Sequence, residues 1–392
     1  MVGKCDVDVL FISSRGGQYR YFQALSVVIH FSSLVVTLLP GWGFKVFNTG
    51  LSLALIKRGL DFHLKRKRRK YGGVRPVRVV WWAYVFFSAC YFSIIYLKFR
   101  YVFSKKPPKV VCMWNGHRLP EMAVRAASLG LGIRIAYFEN GLLPKTTTMD
   151  FSGVNAFSSI PQEVEFYERY YQNNDCRSLS AVSLFSRKPH KNKAELSGFE
   201  SIEGRYIFIP FQVNFDSQVV INSPWLSSME AFHSILLSVV DSIDSELIFV
   251  IKVHPSDPRA YEEYYDKHSR IRFVTNDTEE LIRGAEAVIT LNSSVGIEAA
   301  MLERKVIVLG SACYAINRMI QVVQSEAELI NAVNNVRKWQ LDLEITHAFF
   351  TYLKSDYLLP GSWQDQVNGI EVAHKKCFED KIQAVVSSGI GL

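Results

Sequence analysis

The 392-residue chain is 48% hydrophobic and 21% charged, which excludes a disordered protein, and its length suits two domains better than a single core. Its net charge of +8 is concentrated: residues 57–70 hold eight Lys or Arg against one Asp, so one segment carries +7 and the remainder is nearly neutral. The six cysteines are scattered without a CxxC pair, which argues against a zinc site or a disulfide framework and fits a reducing cytoplasm.

No basic start followed by an apolar core opens the chain as a secretory signal would. Val7–Ser13 reads as a buried strand that ends in Ser14, Arg15, Gly16 and Gly17, with a helix following from Tyr19. Asp6-Val7-Asp8 has the spacing of a metal-binding pair but stands at the start of that strand, the wrong end for a ligand site. Residues 25–39 are apolar, interrupted by His30, Ser32 and Ser33, and predict a core helix. Phe47, Leu51, Leu53, Leu55 and Ile56 then adjoin the basic run, which points to an anionic membrane surface; a merely solvated helix end is the plainer alternative. Nucleic acid is disfavoured because no reading module accompanies the charges. Residues 79–97 are nineteen without a charge, just enough to span a bilayer. Trp81, Trp82, Tyr84, Tyr91 and Tyr96 crowd them, so a buried or membrane-docking helix is the expectation.

Apolar strands then alternate with helical patterns, as in parallel α/β sheets. Lys109–Trp114 ends at Asn115-Gly116-His117, and Arg134–Glu139 ends at Asn140-Gly141. After a polar connection, strands are predicted at Tyr206–Pro210, Leu247–Val253, Arg272–Thr275, Ala287–Leu291 and Lys305–Leu309, with a helix at Ser227–Val240. The pattern beyond Ser325 is helical and more polar. The expected fold is GT-B-like: two facing Rossmann-type doubly wound α/β domains with a cleft between them. The expected boundaries are an N-terminal domain over 1–175 with an aromatic and basic insertion at about 40–105, and a linker over 176–203. A nucleotide-binding domain follows over 204–345, with C-terminal helices over 346–392 packing back on the first domain.

Four constellations carry chemistry. Glu139, beside Asn140-Gly141 at a strand's carboxyl end, is placed to meet substrate as a general acid or base, or to cap nearby amides. In Pro210-Phe211-Gln212-Val213-Asn214-Phe215-Asp216-Ser217-Gln218, Asp216 is the candidate nucleophile for an oxocarbenium-like transfer, with Gln212 holding sugar hydroxyls or carboxylate. The plainer reading of Asp216 is an Asx-type turn. Lys252 and His254, alternating on one strand face before Pro255, present two donors to a phosphate. Asn292-Ser293-Ser294-Val295-Gly296-Ile297-Glu298 leads a strand into a helix whose first amides suit a phosphate, with Glu298 placed for ribose hydroxyls; an ordinary Ser cap is the plainer reading. No Walker loop and no GxGxxG follows the first strand.

Taken together, the ENGLLPxTTTxD…GVNA run, the PFQVxxDSQ run, the His-Pro pair and the NSSVGIEA helix start resemble the bacterial capsule polysaccharide biosynthesis family, which contains retaining β-Kdo transferases of capsule and O-antigen assembly. The resemblance covers roughly 105–320 and extends to the Ser13–Gly17 loop. It implies a CMP-β-Kdo donor, no metal or other cofactor, and a glycan or glycolipid acceptor. Asp216 then matches the family's nucleophile, Glu139 its acid/base candidate and His254 its CMP-phosphate ligand. Arg15, Asn140 and Lys145 are candidate contacts to the sugar or acceptor. A cytoplasmic protein held on the inner face of the bacterial inner membrane is the expected setting. Two alternatives compete: a teichoic-acid-type polyol-phosphate transferase using a CDP-activated donor, and a non-catalytic polysaccharide export factor.

Overall fold

The computed structural model describes residues 7–37, 51–71, 78–176, 184, 202–244 and 246–387. They form two compact units, Met1–Ser159 with Tyr357–Leu392, and Ile160–Asp356. The first unit opens with β1 (Val9–Ser13), α1 (Gly16–Val28), β2 (Ser33–Thr37), α2 (Leu53–Lys70) and α3 (Arg78–Lys105). It continues with β3 (Val110–Trp114), α4 (Glu121–Leu129), β4 (Arg134–Asn140) and β5 (Thr146–Asp150). The second unit begins with α5 (Val164–Asn173), β6 (Arg205–Pro210), α6 (Ser217–Ile221), α7 (Met229–Val240), β7 (Leu247–Lys252) and β8 (Ile271–Phe273). It ends with α8 (Thr278–Gly284), β9 (Ala287–Thr290), α9 (Ser294–Met301), β10 (Val306–Val308), β11 (Gln321–Val322), α10 (Glu326–Asn334) and α11 (Leu343–Tyr352). Finally β12 (Leu359–Pro360) and α12 (Val372–Ser387) belong again to the first unit.

Strand order in the first sheet is β12-β5-β4-β3-β1-β2, parallel from β2 to β4 and antiparallel at β5 and β12. The second sheet, β11-β10-β9-β6-β7-β8, is parallel throughout. Each is doubly wound, as the α/β class expected from the sequence requires. In each, the strand order reverses beside the first strand, between β1 and β3 and between β6 and β9. Ligands of such sheets collect outside the carboxyl ends at that reversal.

Period-two alternation explains why both faces of each sheet are covered. In the first unit Val9, Phe11, Val110, Cys112, Ala136 and Phe138 point toward α1 and α12. Leu10, Ile12, Val111, Met113, Ile135 and Tyr137 point toward α3 and α4. In the second, Ile207, Ile209, Phe249, Ile251, Ile289 and Ile307 pack under Phe232, Leu236 and Val239 of α7 and Leu329 and Val333 of α10.

Several expectations are corrected. Residues 25–39 are not one helix: α1 ends at Val28, and Ser33–Thr37 pairs with β1 as an edge strand, because β-branched Val35 and Val36 suit a pleat. The division between units falls at Ser159 and Ile160, not after 175, because α5 packs on α11 through Tyr167 against Phe349 and Phe166 against Tyr352. For the same reason α11 belongs to the second unit, and only the chain from Tyr357 onward returns to the first. The expected linker over 176–203 lies almost wholly outside the described residues, as does all of 40–50.

Candidate functional site

The carboxyl edge of the first sheet gathers Glu139, Asn140, Asn115 and the Ser14–Arg15 loop. Glu139, next to last in β4, is half-buried, and three donors hold its carboxylate. Trp114 Nε1–H reaches Oε1 at 3.3 Å, the Asn140 backbone N–H reaches Oε1 at 3.0 Å, and Asn115 Nδ2 reaches Oε2 at 3.1 Å. Asn115 can turn back because it and Gly116 adopt left-handed φ of 27° and 69°. Asn140 is exposed, and its Oδ1 accepts from Trp363 Nε1 at 2.8 Å. Trp363 comes from the far end of the chain, so no local pattern announces it. Lys145 is exposed at φ 55° in the turn before β5.

Arg15 is exposed at the start of α1, and its neighbour Ser14 donates to Glu121 Oε1. Glu121 was not singled out by sequence pattern, since an acidic residue in a helix's first turn is commonplace. It is 4% exposed, its Oε2 is buried without a hydrogen-bond partner, and burial holds its carboxyl above the usual range despite the Ser14 bond. Nearby His117 is pressed down to about 4 by burial and by Arg125, so it stays neutral at physiological pH.

The TTTMD…GVNA run is largely architecture. Asp150 is buried and accepts from Ser152 and Gly153 backbone N–H, from Ser159 N–H and Oγ, and from Tyr357 Oη at 2.6 Å. Gly153 is required because a Cβ there would lie 2.7 Å from Phe157. Asp8 of the Asp-x-Asp pair lies before β1, bonded to Ser32 and to Lys109 at 2.8 Å, away from the carboxyl edge.

At the carboxyl edge of the second sheet the polar residues divide into two kinds. Gln212 is buried where β6 ends and does not face outward as a sugar ligand. Its Nε2 donates to Asn292 Oδ1 at 3.0 Å, and its Oε1 accepts from the Asn292 backbone N–H at 3.3 Å. Asn292, also buried, donates from Nδ2 to the Gln218 and Asn222 carbonyls at 3.0 and 2.9 Å. This closed amide network spans the β6/β9 reversal and uses up the groups expected to hold sugar and phosphate. Lys252 is likewise committed: its Nζ donates to the Asn276 carbonyl at 2.6 Å and to Thr278 Oγ1 at 3.0 Å. Glu298 is fully enclosed within α9 and presents nothing to a ribose in this conformation.

Three groups remain at the surface. Asp216 is exposed and is the N-cap of α6, with Oδ1 accepting from Gln218 N–H at 2.9 Å. The turn-forming alternative is therefore realised, and Oδ2 takes no part in it. His254 is exposed beyond the end of β7; its Nδ1 accepts from Ser256 N–H at 3.0 Å, which places the proton of the neutral ring on Nε2. The two residues lie on loops tied together, since Asn214 N–H donates to Asp257 Oδ2 at 3.2 Å and Asp257 N–H to the His254 carbonyl at 2.9 Å. Finally, Ser293 caps α9 through Val295 N–H, leaving Ser294 exposed at the first turn. Gly296 is fixed by packing: a Cβ would meet Tyr314 Oη at 2.4 Å, and that hydroxyl donates to the Ser293 carbonyl.

A family model described as capsule polysaccharide biosynthesis protein matches residues 169–363. The match agrees with the motif resemblance to the capsule polysaccharide biosynthesis family. Protein FixF of Sinorhizobium fredii is 33% identical over 272 residues, 69% of this chain and 65% of that protein, so this chain spans just under two thirds of that relative. The capsule polysaccharide export protein KpsS of Escherichia coli is 26% identical across 53% of this chain and 68% of its own length. Among solved structures, Thermosulfurimonas dismutans KpsC, described as a β-Kdo 2,7 transferase, is similar with a TM-score of 0.42 and 16% identity over 69% of this chain and 87% of that one.

Proposed function

We propose that the chain is a retaining β-Kdo transferase that uses CMP-β-Kdo without a metal and builds a bacterial surface polysaccharide or glycolipid. The reading is carried by one observation: an exposed carboxylate, Asp216, ends the strand–loop run that matches the family's nucleophile motif, on a loop bonded to the one presenting His254. Oδ1 is engaged in capping, so Oδ2 is the attacking atom. It forms a bond to the anomeric carbon while the bond from that carbon to the CMP phosphate oxygen breaks, its electron pair leaving on the phosphate. His254 Nε2–H and the first amides of α9 meet the charge that develops there. An acceptor hydroxyl then displaces Asp216 as a free carboxylate, and its proton passes to a general base. Two displacements restore the starting configuration.

The test is to incubate the purified chain with CMP-Kdo or a CDP-linked polyol, lipid- and glycan-linked acceptors and a chelator, and to measure CMP. Release from CMP-Kdo alone, undiminished by the chelator, is expected. Release from the CDP-polyol alone would replace the reading with polyol-phosphate transfer. Release from neither would favour a non-catalytic role in export, the role carried in the name of KpsS.

A further inference from the structure

The 28-residue helix α3 has two halves in opposite surroundings. In its C-terminal half Phe92, Ile95, Tyr96, Phe99 and Phe103 are buried in the core beneath the first sheet. Gly59 of α2 permits the helix crossing there, since a Cβ at that position would lie 2.5 Å from the Phe92 ring. In its N-terminal half Val79 is 74% exposed, Trp82 67%, Phe86 64% and Phe87 68%, with Val80 beside them. These residues recur at helical spacing, so they form one continuous apolar surface.

The C-terminal half of α2 runs alongside this surface. A ring nitrogen of His63 lies 2.6 Å from Tyr84 Oη, and Lys67 Nζ stands 5.8 Å from the Tyr84 ring centre. The same stretch of α2 carries Lys65, Arg68 and Lys70, all exposed, with Lys65 paired to Asp61 at 2.8 Å. Asp61 is the sole acidic residue in α2, and α3 has none.

We infer that the N-terminal half of α3 and the basic end of α2 form a monotopic docking surface for an anionic lipid bilayer. Exposed Trp, Phe and Val beside a lysine- and arginine-rich strip combine apolar insertion with attraction to acidic headgroups. α3 does not cross the bilayer in this fold. About 14 residues precede its buried half, a rise of roughly 20 Å against a hydrocarbon core of roughly 30 Å. A second copy of the chain is a poor occupant, because a two-fold contact would lay the basic strip against itself. The inference stands on the surface alone and holds whether or not the chain transfers Kdo.

The whole chain is floated with phosphatidylcholine vesicles with and without phosphatidylglycerol. Binding should require phosphatidylglycerol and fall with salt. The variant carrying Trp82→Ser, Phe86→Ser and Phe87→Ser should partition at least ~10-fold more weakly. Its unfolding midpoint should match the parent's, because these side chains contact solvent. Quenching by brominated lipids that is lost in Trp82→Phe should be strongest with bromine near the headgroup. Equal partitioning of parent and triple variant overturns the inference, as does quenching strongest at the bilayer centre. A dimer that the triple variant converts to monomer, without vesicle binding by the parent, overturns it in favour of self-association.

Discussion

At the edge of the first sheet, Glu139 stands half-exposed with its carboxylate held by Trp114, Asn115 and its own neighbour's N–H, while at the edge of the second, the amides Gln212 and Asn292 hold each other and Asp216 stays outside. The difference is one of burial. A polar group enclosed where two strands end must be satisfied within the protein, so Gln212 and Asn292 become structural. A group at the rim can satisfy itself with one cap, as Asp216 does, and leave its other oxygen to solvent.

That contrast is sharpened most by Asp216→Asn. The amide oxygen retains the α6 cap but is no nucleophile, so transfer should fall at least ~10³-fold, measured as CMP release. The thermal midpoint should stay close to the parent's, whereas Asp216→Ala should add a loss of about 1 kcal/mol from the missing cap. Near-parental turnover of Asp216→Asn would leave Asp216 as a cap and nothing more.

Gln212→Ala should act on stability first. It leaves the buried Asn292 Oδ1 and backbone N–H without their partner, at a cost of about 1–3 kcal/mol by denaturant unfolding. Should stability hold while KM for the donor rises, Gln212 contacts substrate and the contrast fails.

The smallest effect is expected at Glu121→Gln. Burial raises the Glu121 carboxyl in the native state, against the Ser14 hydrogen bond. The native protein therefore keeps that proton longer than the unfolded chain, and stability falls as pH rises from about 4 through the raised native value. The neutral Gln variant escapes this loss. Its unfolding midpoint should equal the parent's near pH 4 and exceed it at neutral pH. A pH-independent difference would mean that Glu121 is not charged at the cost of burial.

Much of the strand pattern was legible because apolar runs such as Val110–Trp114, Arg205–Pro210 and Leu247–Lys252 are buried on both faces and bounded by glycine or polar residues. The two-residue strand β12 was not, and neither was the split of residues 25–39, since two-residue pairing and edge position are decided by partners distant in the chain. Candidate site residues were legible by type and by their place at strand ends. Whether each faced solvent or a neighbour was not: Lys252 and His254, two residues apart, end respectively on Asn276 and at the surface.

The sequence by itself determined two doubly wound sheets and the strand ends where polar residues gather, because these follow from period-two burial and local turn chemistry. Only the tertiary structure decided that Gln212, Asn292 and Lys252 are spent on internal hydrogen bonds, that Trp363 reaches Asn140, and that half of α3 is core and half is bare. Those outcomes depend on which surface each side chain meets after folding, which local residue pattern does not show.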